Sequence, residues 1–166
     1  MATTDNLQAA FAGESQANRK YLAFAKKAEA DGLPQVAKLF RAAAEAETVH
    51  AHAHFRVLGG VKSTADNLKA ALEGEGHEFR TMYPAFINEA EAEKNPAALL
   101  SFKNAQAVEE IHYGLYANAL SAVEKGKDLP ATAIYVCAVC GNTVSGSAPD
   151  VCAICKAPKA KFAEIK

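Results

Sequence analysis

The sequence predicts an all-α four-helix bundle followed by a small, loop-rich metal-binding module. Three observations predict it. Alanine-rich, helix-favouring stretches with an apolar stripe fill most of the chain up to about residue 125, one unit occurs twice within them, and all four cysteines fall between 137 and 155 in two C-x-x-C pairs.

With 166 residues, half of them apolar, the chain can bury one good core and carry a small second module. A formal net charge of -1 leaves no basic surface for nucleic acid or an anionic membrane. The start, MATTDNLQAAF, has neither a basic beginning nor a long apolar run, and no segment approaches the roughly 20 apolar residues of a membrane span. A soluble cytoplasmic protein is expected, with no nucleic-acid or membrane partner.

The first helix is expected from Asn6 to Ala30, where Asp31-Gly32-Leu33-Pro34 supplies a stop and a restart. A second runs from Pro34 to Leu58 and ends at Gly59-Gly60. Ser63 or Thr64 can cap a third, which continues to Glu93 with a kink at Pro84, because proline removes a backbone donor. Asn95-Pro96 opens a fourth that lasts to Lys125. After Gly126-Lys127-Asp128-Leu129-Pro130 the composition turns to short β-branched runs, glycines, prolines and cysteines. The domains are therefore expected at 1–130 and 131–166. Gly59-Gly60-Val61-Lys62-Ser63-Thr64 echoes a phosphate loop but lacks adjacent Gly-Lys-Ser/Thr, so no nucleotide site is read there.

The internal repeat carries the functional argument. Asn6-Leu7-Gln8-Ala9-Ala10 matches Asn67-Leu68-Lys69-Ala70-Ala71 at an offset of 61, which also lays Gly13-Glu14 on Gly74-Glu75 and Arg19 on Arg80. One residue is then inserted, and at an offset of 62 Pro34 meets Pro96, Phe40 meets Phe102, Glu47 meets Glu109 and His50 meets His112. What survives between the copies is one glutamate on the first helix and Glu-x-x-His on the second. A carboxylate-bridged di-metal site needs that set: a Glu from each of two helices and an i, i+3 Glu-x-x-His from each of the other two.

His50 is accordingly the ligand candidate in the run ETVHAHAHF, since it shares a helix face with Glu47. His52 meets Gly114 and His54 meets Tyr116 in the other copy, so both read as surface or packing residues, and His77 likewise. A single Glu-x-x-His on such a helix is usually a solvated pair. Two copies in register, each preceded by a matching Glu, argue otherwise, because four buried glutamates without a cation would cost several kcal/mol per ion. Glu78 breaks the symmetry: it lies on the face of Glu75, and its counterpart is Ala17. It reads as a fifth carboxylate able to ligate one metal in one oxidation state. Five carboxylates and two imidazoles suit iron or manganese better than zinc.

In YVCAVCGNTVSGSAPDVCAIC, Cys137-x-x-Cys140 and Cys152-x-x-Cys155 are separated by eleven residues. Four thiolates in two knuckles make a tetrahedral S₄ site that holds zinc or a single iron. The frame, with Tyr135 before the first cysteine, Gly141 after the second and Ala157-Pro158 after the last, looks like a rubredoxin.

With both halves read, the whole chain resembles rubrerythrin, a ferritin-like di-iron bundle fused to a C-terminal rubredoxin domain. The resemblance rests on Gly13-Glu14-Ser15-Gln16, Glu47-x-x-His50, Glu75-x-x-Glu78, Glu109-x-x-His112 and the four cysteines. It implies a non-haem peroxidase that reduces hydrogen peroxide to water, with two irons in the bundle and one in the S₄ site. Glu47 and Glu109 would bridge the irons, and Glu14, Glu75, Glu78 and His112 would be terminal ligands. Glu78 and His50 match the carboxylate and the histidine that exchange at one iron in the family, and Tyr21 and Tyr83 match its tyrosines beside the site. Both tyrosines also read plainly as core aromatics. Electrons would arrive through the rubredoxin-like iron from a nicotinamide-dependent reductase or a separate rubredoxin. The rival is a ferroxidase or iron-handling protein with a structural zinc ribbon; an S₄ iron is coloured and zinc is not.

A ferritin-like bundle makes the second and third helices parallel, so their connection must travel back along the bundle. Helix rise puts about 12 Å beyond the metals at one end and about 15 Å at the other, and the lateral step adds about 10 Å. Residues 59 to 64 reach only about 20 Å when extended. Two arrangements meet this limit, an up-down-up-down monomer, which loses the ferritin-like symmetry, and a domain-swapped homodimer with the first two helices packing on the last two of a second chain; the swap is expected, since exchange of identical elements costs little and closes with two-fold symmetry.

Overall fold

A computed structural model describes residues 2–166. The elements are α1 (Ala2–Ala30), α2 (Pro34–Val57), α3 (Thr64–His77), a π-helical turn (Glu78–Met82), α4 (Tyr83–Ala92), α5 (Pro96–Glu124) and three short strands, β1 (Ile134–Cys137), β2 (Thr143–Ser145) and β3 (Phe162–Ile165). The chain divides into two compact units, Met1–Lys62 and Ser63–Lys166. No helix among the described residues is long and apolar enough to cross a membrane.

In the first unit α1 and α2 form an antiparallel hairpin whose seam is small: Ala25, Ala28, Ala37, Ala44 and Ala51 are buried, so the two backbones approach closely. Asn18 is buried in the same seam, and its amide donates to Ala44 O at 2.7 Å and to Thr48 Oγ1 at 2.8 Å. At the hairpin tip Gly32 takes φ 75°, and its N–H and that of Leu33 return to Glu29 O and Ala28 O, which satisfies carbonyls at the helix end. At the far end of α2 the chain turns at Gly59, and Phe55 packs so tightly on Gly60 that a Cβ there would lie 2.1 Å from its ring. The same ring stacks on Phe11 at 4.9 Å.

The second unit repeats the hairpin. Ser63, not Thr64, caps α3 by accepting from the Asp66 N–H at 3.1 Å, and Asn95 caps α5 through Ala98 N–H. The three-dimensional repeat is close. Tyr21, Phe24 and Phe40 have ring-centroid separations of 6.3, 6.2 and 5.6 Å, and Tyr83, Phe86 and Phe102 have 6.2, 6.2 and 5.6 Å. The ion pair Arg41–Glu29 at 2.9 Å recurs as Lys103–Glu91 at 2.9 Å.

The helix expected to run from residue 63 or 64 to Glu93 is unbroken from Thr64 to Ala92, but it includes a π-helical turn. The repeat offset is 61 at Arg80 and 62 at Tyr83, so the inserted residue falls between them, inside the π-helical turn Glu78–Met82. A wider turn absorbs one extra residue while keeping the faces on either side in register. Pro84 lies in the first turn of α4, where its missing N–H costs little.

The C-terminal segment forms an antiparallel sheet in the order β2-β1-β3. Its two cysteine knuckles are related by a pseudo-twofold in their backbone bonds. Gly141 N–H returns to Cys137 O at 2.8 Å and Lys156 N–H to Cys152 O at 3.1 Å, while Cys137 and Cys152 donate to Asn142 O and Ala157 O. Gly141 and Lys156 both take positive φ, 86° and 62°.

Candidate metal centres

The repeated glutamates and histidines gather in two triads, one in each unit. Glu14, Glu47 and His50 bring ligand atoms within 4.8 Å of one another, as do Glu75, Glu109 and His112. Helix geometry is the reason: Glu47 and His50, and Glu109 and His112, stand three residues apart on one face, and the glutamate of the preceding helix meets them across the hairpin. His50 Nδ1 lies 3.1 Å from Glu47 Oε2. His112 Nδ1 lies 2.8 Å from Glu109 Oε2 and 3.7 Å from Glu75 Oε1.

Like charges crowded together move the carboxyl pKa values. Burial, then a hydrogen bond to Glu109 and the charges of Glu109 and Glu78, pushes Glu75 up to about 7. A hydrogen bond between them raises Glu14 and lowers Glu47. These carboxylates repel one another unless a cation or a proton lies between them, which is the fit expected of a metal site.

Glu78 stands outside both triads as the first residue of the π-helical turn. Burial raises its carboxyl, and the charge of Glu109 raises it further, so it faces the second triad. Tyr83 is held above the usual phenol range by burial and by Glu78, Glu109 and Glu75, which places its ring beside the same carboxylates. Tyr21 packs on Phe24 and Phe40. His52 lines a groove of about 320 Å³ with Phe11, Arg19 and Phe55 and belongs to neither triad. His54 also lies outside the triads.

The four cysteines form a third cluster within 4.8 Å. Cys137 Sγ and Cys155 Sγ are 3.7 Å apart, and so are Cys140 Sγ and Cys152 Sγ. A tetrahedron with metal–sulfur bonds of about 2.3 Å has edges of about 3.8 Å, so the thiols are already spaced for one ion. Burial pushes Cys140 up to about 12. Burial works in the same sense on Cys152, but hydrogen bonds from the Cys155 and Ile154 backbone and the Asn142 amide outweigh it and bring that thiol down to about 6.

Sequence reasoning missed two features. One is the π-helical turn, whose signal was the change of offset from 61 to 62. The other is Thr143, whose hydroxyl lies 2.9 Å from His112 Nε2; no pattern in the sequence announces a bond between β2 and α5.

Comparison with known proteins agrees with this geometry. The rubrerythrin family profile matches residues 5–120, and the rubrerythrin rubredoxin-like domain profile matches 135–163. Rubrerythrin-2 of Clostridium acetobutylicum is 34% identical, with 96% of this chain and 95% of that protein covered. Rubrerythrin of Porphyromonas gingivalis is 36% identical over 99% and 90%. A solved structure of nigerythrin in a mixed-valence state covers 98% of this chain and 86% of its own, at 34% identity and a TM-score of 0.58. The mostly helical fold with a four-cysteine rubredoxin-like segment is thus a family fold, and its cofactors are a di-iron site with carboxylate and histidine ligands and a metal in the S₄ site. Two Glu-Glu-His triads in register, four converging thiols and matches to both of its domains make this chain a member of the rubrerythrin family, whose proteins are generally oxidoreductases.

Proposed function

We propose that the protein is a non-haem di-iron peroxidase that reduces hydrogen peroxide to water in the cytoplasm. The observation that carries this reading is the pair of Glu-Glu-His triads combined, in one chain, with an S₄ module packed on the helix of the second triad. Held by these residues, a di-iron pair would supply two electrons, one per metal, for the two-electron reduction of peroxide, and the four cysteines would hold an iron able to pass single electrons from an external donor, a nicotinamide-dependent reductase or a separate rubredoxin.

The chain's own residues have distinct roles. Glu14, Glu47, Glu75, Glu78, Glu109, His50 and His112 would hold the irons, Glu47 and Glu109 as the shared carboxylates, Glu14, Glu75, Glu78 and His112 as terminal ligands, and His50 and Glu78 as the pair that would exchange. Glu78 is suited to hold and deliver a proton beside the second triad, since its burial favours the protonated form. Tyr83 keeps its phenolic proton among these carboxylates and so remains a hydrogen-bond donor. Tyr21 is its counterpart in the other triad's hairpin.

We also place the assembled bundle in a domain-swapped homodimer. Two observations support it: the chain divides at Lys62/Ser63 with a separate triad in each unit, and the connection is short. The test of function is anaerobic reduction followed by one equivalent of peroxide, with the di-iron and S₄ signals followed separately. Rapid oxidation by peroxide and slow oxidation by air are expected. Oxidation by air as fast as by peroxide would overturn the peroxidase reading.

A further inference from the structure

We propose that Thr143, in β2 of the rubredoxin-like module, is the positioning residue of the His112 imidazole, and that the module therefore shapes the di-iron site as well as supplying it with electrons. The inference rests on the reading of His112 as a ligand.

The bond is well placed. Thr143 Oγ1 is 2.9 Å from His112 Nε2 and 3.1 Å from Gly141 O. The hydroxyl has one proton, which it donates to the Gly141 carbonyl; its lone pairs are then left to accept from the imidazole. That assignment puts an imidazole proton on Nε2; Nδ1, turned to Glu109 and Glu75, then faces their oxygens with a lone pair, an arrangement that a metal or a carboxyl proton between them satisfies. Metal-ligating histidines commonly donate their second nitrogen to a fixed acceptor, which sets tautomer and ring orientation.

The acceptor is itself held. Gly141 O belongs to the residue after Cys140, and Gly141 N–H is bonded to Cys137 O at 2.8 Å, so the hydroxyl is anchored to the first cysteine knuckle. A Cβ built on Gly141 would sit 3.7 Å from Val108 Cγ1, and Val108, which is 2% exposed, immediately precedes Glu109 on α5. Packing and hydrogen bond together set the knuckle against α5 at the turn that carries both Glu109 and His112.

The internal repeat supplies the control. His50 occupies the position of His112 in the first copy and makes the corresponding Nδ1 contact to Glu47, but its Nε2 has no second partner among the described residues. The His50 side chain is 55% exposed, and that of His112 is 26% exposed. One imidazole is held at both nitrogens and its repeat counterpart at one. Within one chain the rubredoxin-like module therefore gives His112 a second hold that the helical hairpin alone does not give His50.

The test uses the full-length chain and the variants Thr143→Val, Thr143→Ser and His112→Ala. Fe(II) affinity is measured anaerobically by chelator competition, and the imidazole N–H protons are observed by NMR in protein loaded with diamagnetic Zn(II). Wild type is expected to show a slowly exchanging His112 Nε2–H. Thr143→Val is expected to lose that protection and to weaken one metal by about 10- to 100-fold, Thr143→Ser to restore both, and the His50 signals to stay unchanged. Valine suits a strand, and the retained absorption of the S₄ iron shows that the module is folded. Absence of the protected proton in wild type, or unchanged metal affinity in Thr143→Val, overturns the inference even where His112→Ala loses a metal. Retention of both irons by His112→Ala overturns instead the ligand reading beneath it.

Discussion

The Glu75 carboxyl holds its proton to about pH 7 in the metal-free protein, against an ordinary 4.5, because it is partly buried among other carboxylates. The folded state then binds more protons than the unfolded one between those two values, so this group's contribution to stability is full below pH 4.5 and is lost as pH rises towards 7. Glu78 shifts in the same sense. We predict that metal-free protein melts at lower temperature at pH 7 than at pH 5, and that metal uptake at pH 6 releases protons that are largely absent at pH 8. Calorimetric titration in buffers of different ionisation enthalpy measures the release. A second prediction concerns the S₄ cluster: Cys140→Ser should leave the triads' metal content unchanged and abolish turnover from an external donor, while a single turnover of chemically reduced protein persists. Iron analysis and stopped-flow absorption separate the two. The triads and the four cysteines were legible residue by residue, because each relation is a short spacing on a helix or knuckle. The environment that moves Glu75 was not, since it depends on which side chains from other elements surround the carboxyl.

The two helical hairpins are near copies, and their differences are informative. All four hairpin helix ends turn through a left-handed residue, and three of these are Gly32, Gly59 and Gly126; the fourth is Lys94, at φ 55°. A left-handed backbone costs an L-residue about 1 kcal/mol relative to glycine. Lys94→Gly is therefore expected to stabilise the second unit by about 0.5–1 kcal/mol, read as a higher denaturation midpoint at unchanged slope. The other difference is the π-helical turn, in which Glu75 and Tyr83 are eight residues apart where Glu14 and Tyr21 are seven. Deleting Thr81 restores the spacing of the first copy. We expect helix content by circular dichroism to survive, because the first copy folds with that spacing, and peroxidase rate to fall because Glu78 leaves its place beside the second triad. An undiminished rate in the deletion variant would show that the π turn has no part in the chemistry. Helix limits followed from propensity and end signals to within a few residues. The wider turn did not, because composition reads the same through an α and a π turn.

For the whole molecule the question is which chains contribute the two triads of one site. Mixing a Glu47→Ala chain with a Glu109→Ala chain after joint unfolding tests the swap directly. In a swapped heterodimer one site carries both lesions and the other carries none, so activity should return in the heterodimer to about half that of wild type. No recovery in heterodimers confirmed by mass spectrometry would rule the swap out.

The sequence by itself determined the helical composition, the duplicated Glu and Glu-x-x-His frame, and the four-thiol cluster. These are local periodicities, or repeats of them, and the chemistry of a carboxylate or thiolate does not depend on where the next domain lies. Tertiary structure decided what makes the two copies unequal. The extra residue became a π turn at Glu78, the burial of Glu75 raised its carboxyl, and the placement of β2 against α5 gave His112 a hydroxyl partner that His50 lacks. Each of these depends on side chains far apart in the chain meeting at distances of about 3 Å, which a one-dimensional pattern does not record.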